Sequence, residues 1–302
     1  MHLRYFIVLS LFFFITGFCF SQTKSSFIYY HEGDDVALKM DVFHPKNFSK
    51  DSTYPCIVFY FGGNWLSGKT GYFARQAKYF ASRKMICFLP QYRTKNSHQA
   101  TPKTSLKDAK TAMRYLKTHA KELCIDTTKI VAAGSSAGGH LAAATAFTTK
   151  INNDKDDLSI SSIPNALVLY SPVIDNGPKG YAYNRVKDYY LDFSPIHNIS
   201  KKAPPTLFLV GTHDHLVSIT TAMKYKEKMD AIKSRCDLWF FPKQKHSFIN
   251  YNNSNKEGIT NYNYYKALYE TDKFLASLGF LMGAPTVPIP NIGEELKPHL
   301  EK

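Results

Sequence analysis

The sequence contains few cysteines, and their spacing matches no metal site and no redox motif. Five of the 302 residues are Cys, with no Cys-x-x-Cys pair and no Cys/His spacing typical of zinc ligands. Cys56 and Cys87 lie at or inside apolar runs, where a free thiol behaves as a small buried hydrophobe. We therefore expect no metal site, and we predict buried free thiols at the cysteines beyond residue 21, which are Cys56, Cys87, Cys124 and Cys236.

The sequence also lacks an apolar run of the about 20 residues that a membrane-spanning helix needs. A shorter run, residues 5–20, follows the basic Arg4, and the small residues Cys19 and Ser21 stand at its end. This layout is typical of a secretory signal peptide. We expect cleavage after residue 21, a secreted or periplasmic protein and no stable membrane span; retention of residues 1–21 as an N-terminal anchor is the alternative.

Acidic residues are scarce relative to basic ones. The chain has 24 Asp and Glu against 38 Lys and Arg, which gives a formal net charge of +14. The basic residues are scattered rather than gathered on one helix or stripe, and no nucleic-acid motif accompanies them. We therefore expect no nucleic-acid partner, but a long-range attraction to anionic surfaces or to glycans that carry uronic acids. The apolar fraction of 44% excludes a disordered chain.

Apolar runs typical of strands alternate with amphipathic segments typical of helices. Two strands at the N-terminal end, separated by turn-forming residues, predict an antiparallel hairpin. The continuous apolar strands that follow favour a mostly parallel sheet covered by helices on both faces. The predicted strands are 27–30, 36–43, 56–61, 85–90, 129–133, 166–170, 206–210 and 238–241, and the predicted helices are 71–83, 106–120, 139–149, 219–234 and 261–278.

The same pattern predicts how the chain is divided. Residues 22–280 are expected to form one α/β domain, because no internal repeat and no low-complexity linker interrupts them. Residues 176–202 are the longest irregular insertion, and residues 281–302 are expected to form a solvated tail that contains proline. In such sheets ligands bind beyond the carboxyl ends of the strands, so the residues that follow each strand are the candidates for function.

The strongest local motif is Gly134-Ser135-Ser136-Ala137-Gly138, which matches G-x-S-x-G with Ser136 at its centre. A predicted strand precedes it and an Ala-rich predicted helix follows, which is the strand–turn–helix setting of a nucleophile elbow. A glycine-rich turn or a phosphate loop is the alternative, but these residues fit neither nucleotide-binding glycine pattern. We therefore predict that Ser136 is a catalytic nucleophile.

A serine hydroxyl is a poor nucleophile without a base beside it and a carboxylate that orients the base. With a nucleophile elbow, the acid and then the histidine follow the serine along the chain. His246 follows the last predicted strand and is the expected base, whereas His140 lies in the helix after the elbow and is expected to pack. Asp214 follows the strand 206–210 and is the expected acid, with Asp175 as its rival after the preceding strand.

Acyl transfer also needs hydrogen-bond donors for the oxyanion. One expected donor is the backbone N–H of Ala137, directly after the nucleophile. The loop after the strand 56–61 contains Gly62-Gly63-Asn64-Trp65, where glycines free the backbone N–H groups to point at a substrate. Gly63 and Asn64 are therefore the other candidate donors, and an ordinary turn is the alternative.

With these motifs the chain resembles the α/β-hydrolase superfamily. Within it, the chain is similar to the esterases related to bacterial acetyl xylan and feruloyl esterases and to arylformamidases. The matching segments are Phe-Gly-Gly-Asn-Trp at 61–65, Gln-Tyr-Arg at 91–93, Gly-Ser-Ser-Ala-Gly-Gly-His-Leu at 134–141, Ser-Pro-Ile at 194–196, Gly-Thr-His-Asp at 211–214 and His-Ser-Phe at 246–248. Two positions depart from the family: Phe61 stands where a histidine usually braces the oxyanion loop, and Ser247 stands where glycine often follows the catalytic histidine.

The resemblance implies a single-domain α/β-hydrolase fold that hydrolyses a carboxylic ester through an acyl-enzyme, without metal or cofactor. Trp65 would then form a wall of the acyl pocket. The expected substrate is a small ester or an acylated glycan with a small acyl group, of acetyl type, on a plant-type polysaccharide or oligosaccharide. The aromatic residues of the 176–202 insertion would form a sugar-stacking rim or pack over the sheet; they are Tyr181, Tyr183, Tyr189, Tyr190 and Phe193.

Three alternatives of other classes stay open at this point. An arylformamidase-like or peptidase-like enzyme would use the same triad on an amide. A catalytically inactive binding protein would keep the fold without the chemistry. A membrane-tethered scaffold would require that residues 1–21 are retained.

Overall fold

In the part of the chain that the computed structural model describes, residues 24–29, 36–251 and 261–287, eight strands form one sheet. Their spatial order is β1-β2-β4-β3-β5-β6-β7-β8. β1 pairs antiparallel with β2, and β2 antiparallel with β4, whereas all the other pairs are parallel. The strands are β1 Lys24–Tyr29, β2 Leu38–Phe43, β3 Tyr54–Tyr60, β4 Ile86–Pro90, β5 Ile125–Ser135, β6 Ala166–Tyr170, β7 Thr206–Gly211 and β8 Cys236–Phe241.

Helices cover both faces of this sheet. The helices are α1 Ala74–Ser82, α2 Lys95–His98, α3 Pro102–Thr118, α4 Ala137–Phe147, α5 Tyr183–Val186, α6 Tyr190–Phe193, α7 Ile219–Ala231 and α8 Tyr262–Ser277, with 3-10 turns at Thr70–Phe73 and Pro195–His197. Buried residues of α3, α4 and α7 pack in one core with alternate strand residues. Those of α1 and α8 pack in a second core on the opposite face.

The residues of β3 show why two cores arise. Cys56 and Val58 belong to the core with α3 and α4, and Ile57 and Phe59 belong to the core with α1 and α8. Successive side chains of a strand point to opposite faces, so an uninterrupted apolar strand needs cover on both. The predicted fold class, a mostly parallel sheet led by an antiparallel hairpin with helices on both faces, is confirmed.

The structure differs from the prediction in its short elements. The insertion 176–202, predicted to be irregular, contains α5, α6 and the turn Pro195–His197, and α2 was not predicted at all. Helices of four residues carry too few periodic positions to be detected from the sequence. The cysteine prediction is confirmed: Cys56, Cys87, Cys124 and Cys236 are free and buried.

The two ends of the chain fall partly outside the described residues. Residues 1–21, the predicted signal peptide, lie outside them, and so do residues 288–302 of the predicted tail. Residues 281–287 contact the domain: Leu281 is buried in the core with α1 and α8, and Arg83 donates a hydrogen bond to the Gly283 carbonyl at 2.9 Å. Among the described residues, no helix combines the length and the apolar character that crossing a bilayer requires.

A buried lysine fixes the far end of α4, the helix that begins next to Ser136. Lys110 of α3 is only 1% exposed. Its Nζ donates to the carbonyl oxygens of Thr148 and Ile151, at 2.6 and 2.8 Å, and to Oδ1 of Asn152 at 3.1 Å. Thr148 directly follows α4, where the last carbonyl groups of a helix lack partners within it. The lysine therefore supplies donors that α4 cannot provide for itself.

We expect Lys110→Met to lower the free energy of unfolding by about 2–4 kcal/mol, because it removes the donor to the buried carbonyl oxygens of Thr148 and Ile151. Lys107→Met, in the same helix, is the matched control: Lys107 pairs at 3.3 Å with Asp154, which is 92% exposed, and such a pair contributes at most about 1 kcal/mol. Urea unfolding followed by circular dichroism measures both. Equal, small effects of the two variants would contradict the role assigned to Lys110.

Candidate active site

Ser136 occupies the single-residue turn between β5 and α4. Its backbone adopts φ 56° and ψ −121°, a conformation that is unfavourable for a residue with a Cβ. Backbone hydrogen bonds hold it there: its N–H donates to the Tyr170 carbonyl at 3.0 Å, and its carbonyl accepts from the N–H groups of His140 and Val173 at 3.0 and 3.1 Å. These bonds from the neighbouring strand and helix balance the strain and lift the side chain off the end of the sheet.

The glycines of the motif are required by close approach of the backbone. A Cβ at Gly134 would lie 2.3 Å from the Gly138 carbonyl oxygen, and one at Gly138 would lie 2.0 Å from the Tyr60 carbonyl oxygen. Neither contact can be relieved by a side-chain rotation, because both partners are main-chain atoms. The G-x-S-x-G spacing therefore follows from the packing of β5 and α4 against the end of β3.

His246 and Asp214 form a hydrogen-bonded pair at the same edge of the sheet. His246 lies in the loop after β8 and Asp214 in the loop after β7; Nδ1 of the histidine is 2.8 Å from Oδ2 and 3.1 Å from Oδ1 of the carboxylate. Oδ1 also accepts the N–H groups of Leu216 and Val217, each at 2.9 Å. These two N–H groups fix the carboxylate, which in turn orients the imidazole ring.

The other ring nitrogen of His246 is free to accept a proton. Nε2 is buried and has no hydrogen-bond partner among the described residues. With Nδ1–H donated to Asp214, Nε2 is the unprotonated nitrogen of the neutral ring. The pair thus presents a base whose free nitrogen has no competing partner in the described structure.

The Asp214 carboxylate is held in its ionised form. Burial alone would raise its pKa, but the hydrogen bonds from His246 and from the Val217 N–H lower the pKa below the usual value for aspartate. Its side chain is completely buried, so these partners rather than water stabilise the charge. The carboxylate is therefore suited to balance a positive charge on the imidazole.

The structure pairs His246 with Asp214, whereas Asp175, the alternative candidate for the acid, has a different partner. Oδ1 of Asp175 accepts the Gly177 N–H at 2.8 Å within its own loop. His140 is fully buried; its Nε2 lies 3.1 Å from the Phe193 carbonyl oxygen, and burial lowers its pKa to about 3. A neutral ring in the core fits the packing role predicted for His140.

One cavity of about 550 Å³ is lined by Ser136, His246, Gly63 and Asn64 among the candidate residues. Its walls combine Ser136, His246, the loop after β3 and aromatic side chains. The lining residues are Gly62, Gly63, Asn64, Gly71, Tyr72, Phe73, Arg75, Gln76, Ser135, Ser136, Tyr181, Leu216, His246, Ser247, Ile249, Asn250, Tyr251 and Tyr264. Its volume lies within the range of about 300–1,000 Å³ that is usual for small-molecule sites.

The loop after β3 turns its backbone through left-handed conformations. Gly63, Asn64 and Trp65 have φ values of 129°, 62° and 55°, and the Gly63 carbonyl accepts the N–H groups of Leu66 and Ser67. No described residue accepts a hydrogen bond from the N–H of Gly63 or of Asn64. Ala137 is the first residue of α4, so its N–H has no acceptor within the helix. These three N–H groups are available to a ligand, as an oxyanion hole requires.

Tyr92, from the matching segment 91–93, and Arg185, which the sequence did not single out, brace this loop. Phe61 stacks on Tyr92 with ring centroids 4.0 Å apart, and the Tyr92 hydroxyl donates to the Phe61 carbonyl at 2.6 Å. The guanidinium of Arg185, in α5, donates to the carbonyl oxygen of Asn64 at 3.0 Å and also to its side-chain oxygen. It lies over the ring of Trp65 as well, 5.5 Å from the centroid.

These contacts hold the loop although Phe61 stands where related esterases usually have a histidine. The usual histidine brace is replaced by Tyr92 from the strand side and by Arg185 from the insertion 176–202. No sequence signal could identify Arg185, because 121 residues separate it from Asn64 and no motif includes it. The insertion therefore contacts the loop that carries the candidate oxyanion donors Gly63 and Asn64.

The prediction that Trp65 forms a wall of the pocket is wrong for this cavity. Trp65 is 1% exposed and lies in the core, with its ring 5.1 Å from that of His140 and 5.7 Å from that of Phe193. The left-handed turn at Asn64 and Trp65 directs the indole inward. Among the aromatic residues proposed as a sugar rim, Tyr181 lines the cavity, whereas Phe193 is buried.

The same loop also matches a phosphate-loop pattern by spacing alone. Gly63 to Thr70 reads G-x-x-x-x-G-K-T, and a strand precedes it. In a phosphate loop the backbone N–H groups converge on an anion. Here the N–H groups of Leu66 and Ser67 are bonded to the Gly63 carbonyl, and the Thr70 hydroxyl donates to Asp41 at 2.8 Å. The loop therefore matches the phosphate-loop pattern in sequence but does not have the geometry of a phosphate-binding loop.

The pairing of Asp214 with His246 should make a pH-dependent contribution to the free energy of unfolding. Because the pKa of Asp214 is lower in the folded chain than the unfolded value of about 3.9, its contribution is complete above pH ~4 and is lost as the pH falls further, through the folded pKa. We expect the difference in unfolding free energy between the wild type and Asp214→Asn to shrink as the pH falls from 6 to 3. Asp175→Asn is the control. If the difference in unfolding free energy between the wild type and Asp214→Asn stays constant with pH, the expectation is refuted.

Comparison with known proteins agrees with this geometry. The BD-FAE family model matches residues 40–176. The structure is similar to that of Thermogutta terrifontis esterase 2 phosphorylated by paraoxon, with a TM-score of 0.78 and 34% identity over 85% of this chain and 96% of that one. The butyrate-bound form of the same esterase gives a TM-score of 0.77 and 33% identity, covering 85% and 95% of the two chains.

A curated relative shows the same likeness at lower identity. Esterase LipC of Mycobacterium tuberculosis is 25% identical over 239 residues, which cover 72% of this chain. The match spans 58% of the length of LipC. Identity above 30% with a solved esterase, over most of both chains, confirms the resemblance that the motifs indicated. The chain therefore belongs to the BD-FAE esterases of the α/β-hydrolase superfamily.

Proposed function

We propose that the protein is a carboxylic ester hydrolase in which Ser136 is the nucleophile, His246 the general base and Asp214 the orienting carboxylate. The observation that carries the proposal is the shared cavity: Ser136 on its strained turn and His246 both line it, and Nδ1 of the histidine is held by Asp214 at 2.8 Å while Nε2 has no partner among the described residues.

In the first half of the reaction, the Ser136 hydroxyl attacks the carbonyl carbon of the ester and its proton passes to Nε2 of His246. The carbonyl oxygen takes the negative charge and accepts hydrogen bonds from the N–H groups of Gly63, Asn64 and Ala137. The bond to the leaving alcohol then breaks, and His246 returns the proton to the alcohol oxygen. The product is an acyl group on Ser136.

In the second half, a water molecule takes the place of the alcohol. His246 accepts a proton from the water as its oxygen attacks the acyl carbon, and the same N–H groups hold the oxyanion. The bond to the Ser136 oxygen breaks, the proton returns to that oxygen, and the carboxylic acid leaves. Asp214 remains ionised throughout and balances the positive charge of the imidazolium.

The proposed substrate is an ester with a small acyl group. Structures of the Thermogutta esterase with propionate and with butyrate bound support a short acyl chain. We extend the proposal to acetyl-type esters on polysaccharides or oligosaccharides outside the cell or in the periplasm. Two features support it: the signal-like segment 1–21, and the aromatic rings of Tyr72 and Tyr181 in the cavity lining.

The proposed nucleophile is tested with Ser136→Ala. We expect kcat on a short-chain ester to fall by about 10⁴-fold or more, since Ser136 is the group that carries the acyl-enzyme in the proposed mechanism. Ser135→Ala, which changes the neighbouring serine of the same motif, is the control and is expected to have a far smaller effect. Paraoxon should add a phosphoryl group at Ser136, detected by mass spectrometry. A folded protein that reacts at no serine would instead support an inactive binding protein.

The brace from the insertion is tested with Arg185→Ala. Loss of its contacts frees the Asn64 turn, so we expect kcat to fall by about tenfold through misplacement of the oxyanion donors, with little change in KM. Arg185→Lys should restore only part of the rate, because an ammonium lacks the planar fork that holds both oxygens of Asn64. Arg235→Ala, which removes an exposed pair with Asp237, is the control. An effect of Arg185→Ala confined to KM would contradict the bracing role.

A further inference from the structure

One wall of the active-site cavity has no role in the reaction proposed above. The 3-10 turn before α1 and the first turn of α1 form it, through Gly71, Tyr72, Phe73, Arg75 and Gln76. The side chains on this wall therefore contact the parts of a substrate that lie away from the reacting carbonyl. Any preference among esters that this wall creates is separate from the chemistry of Ser136.

Gln76 is the unusual residue of this wall. It lies on the buried face of α1 together with Ala77 and Phe80, and it is 7% exposed. Its Oε1 is buried and accepts no hydrogen bond from any described residue. A buried polar atom without a partner costs free energy that a bound donor would restore, and native proteins keep few such atoms. Gln76 thus places an amide among the residues that line the cavity, with a buried acceptor atom that has no partner among the described residues.

The surroundings of Gln76 select a neutral donor. The described lining of the cavity contains no Asp or Glu, and it contains Arg75. The Arg75 guanidinium lies 3.9 Å from the centroid of the Tyr251 ring, so its position is fixed by stacking on the ring face. A substrate ammonium group would meet this cation without a compensating carboxylate. A hydroxyl group can donate a hydrogen bond to Gln76 and carries no charge that Arg75 would repel.

We propose that Gln76 is the acceptor of a hydroxyl subsite, so that the enzyme prefers esters that carry a free hydroxyl group near the ester bond over alkyl esters of the same shape. This inference rests on the proposed esterase function. The substrate hydroxyl donates to Oε1 of Gln76, in the transition state as in the bound ester, and an alkyl group in the same place leaves Oε1 unpaired. Gln76 is therefore a specificity-determining residue that takes no part in bond making or breaking.

The test compares two acetate esters of matched shape. Glycerol monoacetate carries two hydroxyl groups, and 2-methylbutyl acetate carries methyl groups in their place. The measured quantity is the ratio of kcat/KM for the hydroxylated ester to kcat/KM for the alkyl ester. We expect this ratio to be about tenfold lower in Gln76→Met than in the wild type, because methionine is similar in length to glutamine but its sulfur is only a weak acceptor. Gln76→Glu keeps an acceptor oxygen and should retain the preference. Thermal unfolding checks that each variant is folded, and Gln76→Leu replaces Gln76→Met if the latter is not.

The outcomes separate this inference from the proposed function. If the wild type cleaves neither ester faster than Ser136→Ala does, the proposed function fails. If it cleaves both and the ratio is the same in the wild type and in Gln76→Met, as it would be if water alone occupied the site, the hydroxyl subsite is refuted while the esterase function stands. A variant that loses activity on both esters equally would assign Gln76 a structural role and would also overturn the inference.

Discussion

Ser136 can present its hydroxyl to the cavity only if the chain reverses from β5 into α4 within one residue in the left-handed region. That reversal is possible because the motif places glycine where the backbones of β5, α4 and β3 come within van der Waals contact, at Gly134 and Gly138. It persists because the Ser136 backbone is bonded on both sides, to Tyr170 and to His140 and Val173. The elements around the cavity are arranged about this turn.

The parallel order of the strands supplies the rest of the site. β3, β5, β7 and β8 run in the same direction, so the loops that follow them meet at one edge of the sheet. One loop carries the proposed oxyanion donors Gly63 and Asn64, another carries Asp214, and a third carries His246. Gly63, Asn64 and His246, far apart in the chain, thereby line one cavity, and Asp214 holds the histidine there.

Supports outside the strands hold two of these elements in place. Arg185 in α5 contacts both oxygens of Asn64, which couples the insertion 176–202 to the loop after β3. Lys110 in α3 bonds to the carbonyl groups beyond the end of α4, and so fixes the helix whose first residue is the proposed oxyanion donor Ala137. A left-handed loop and a single-residue turn both need such external contacts, because their own backbone conformations are unfavourable.

The sequence by itself determined the fold class, the elbow at Ser136 and the residues that follow each strand, because strand periodicity, glycine spacing and chain order are local properties. Only the tertiary structure decided that His246 pairs with Asp214 rather than Asp175, that Trp65 turns into the core, and that Arg185 and Gln76 reach the site. Each of these outcomes depends on the direction of a side chain after a turn or on a contact between distant segments. Periodicity and spacing carry no information about either, because both are fixed only when the loops meet at the edge of the sheet.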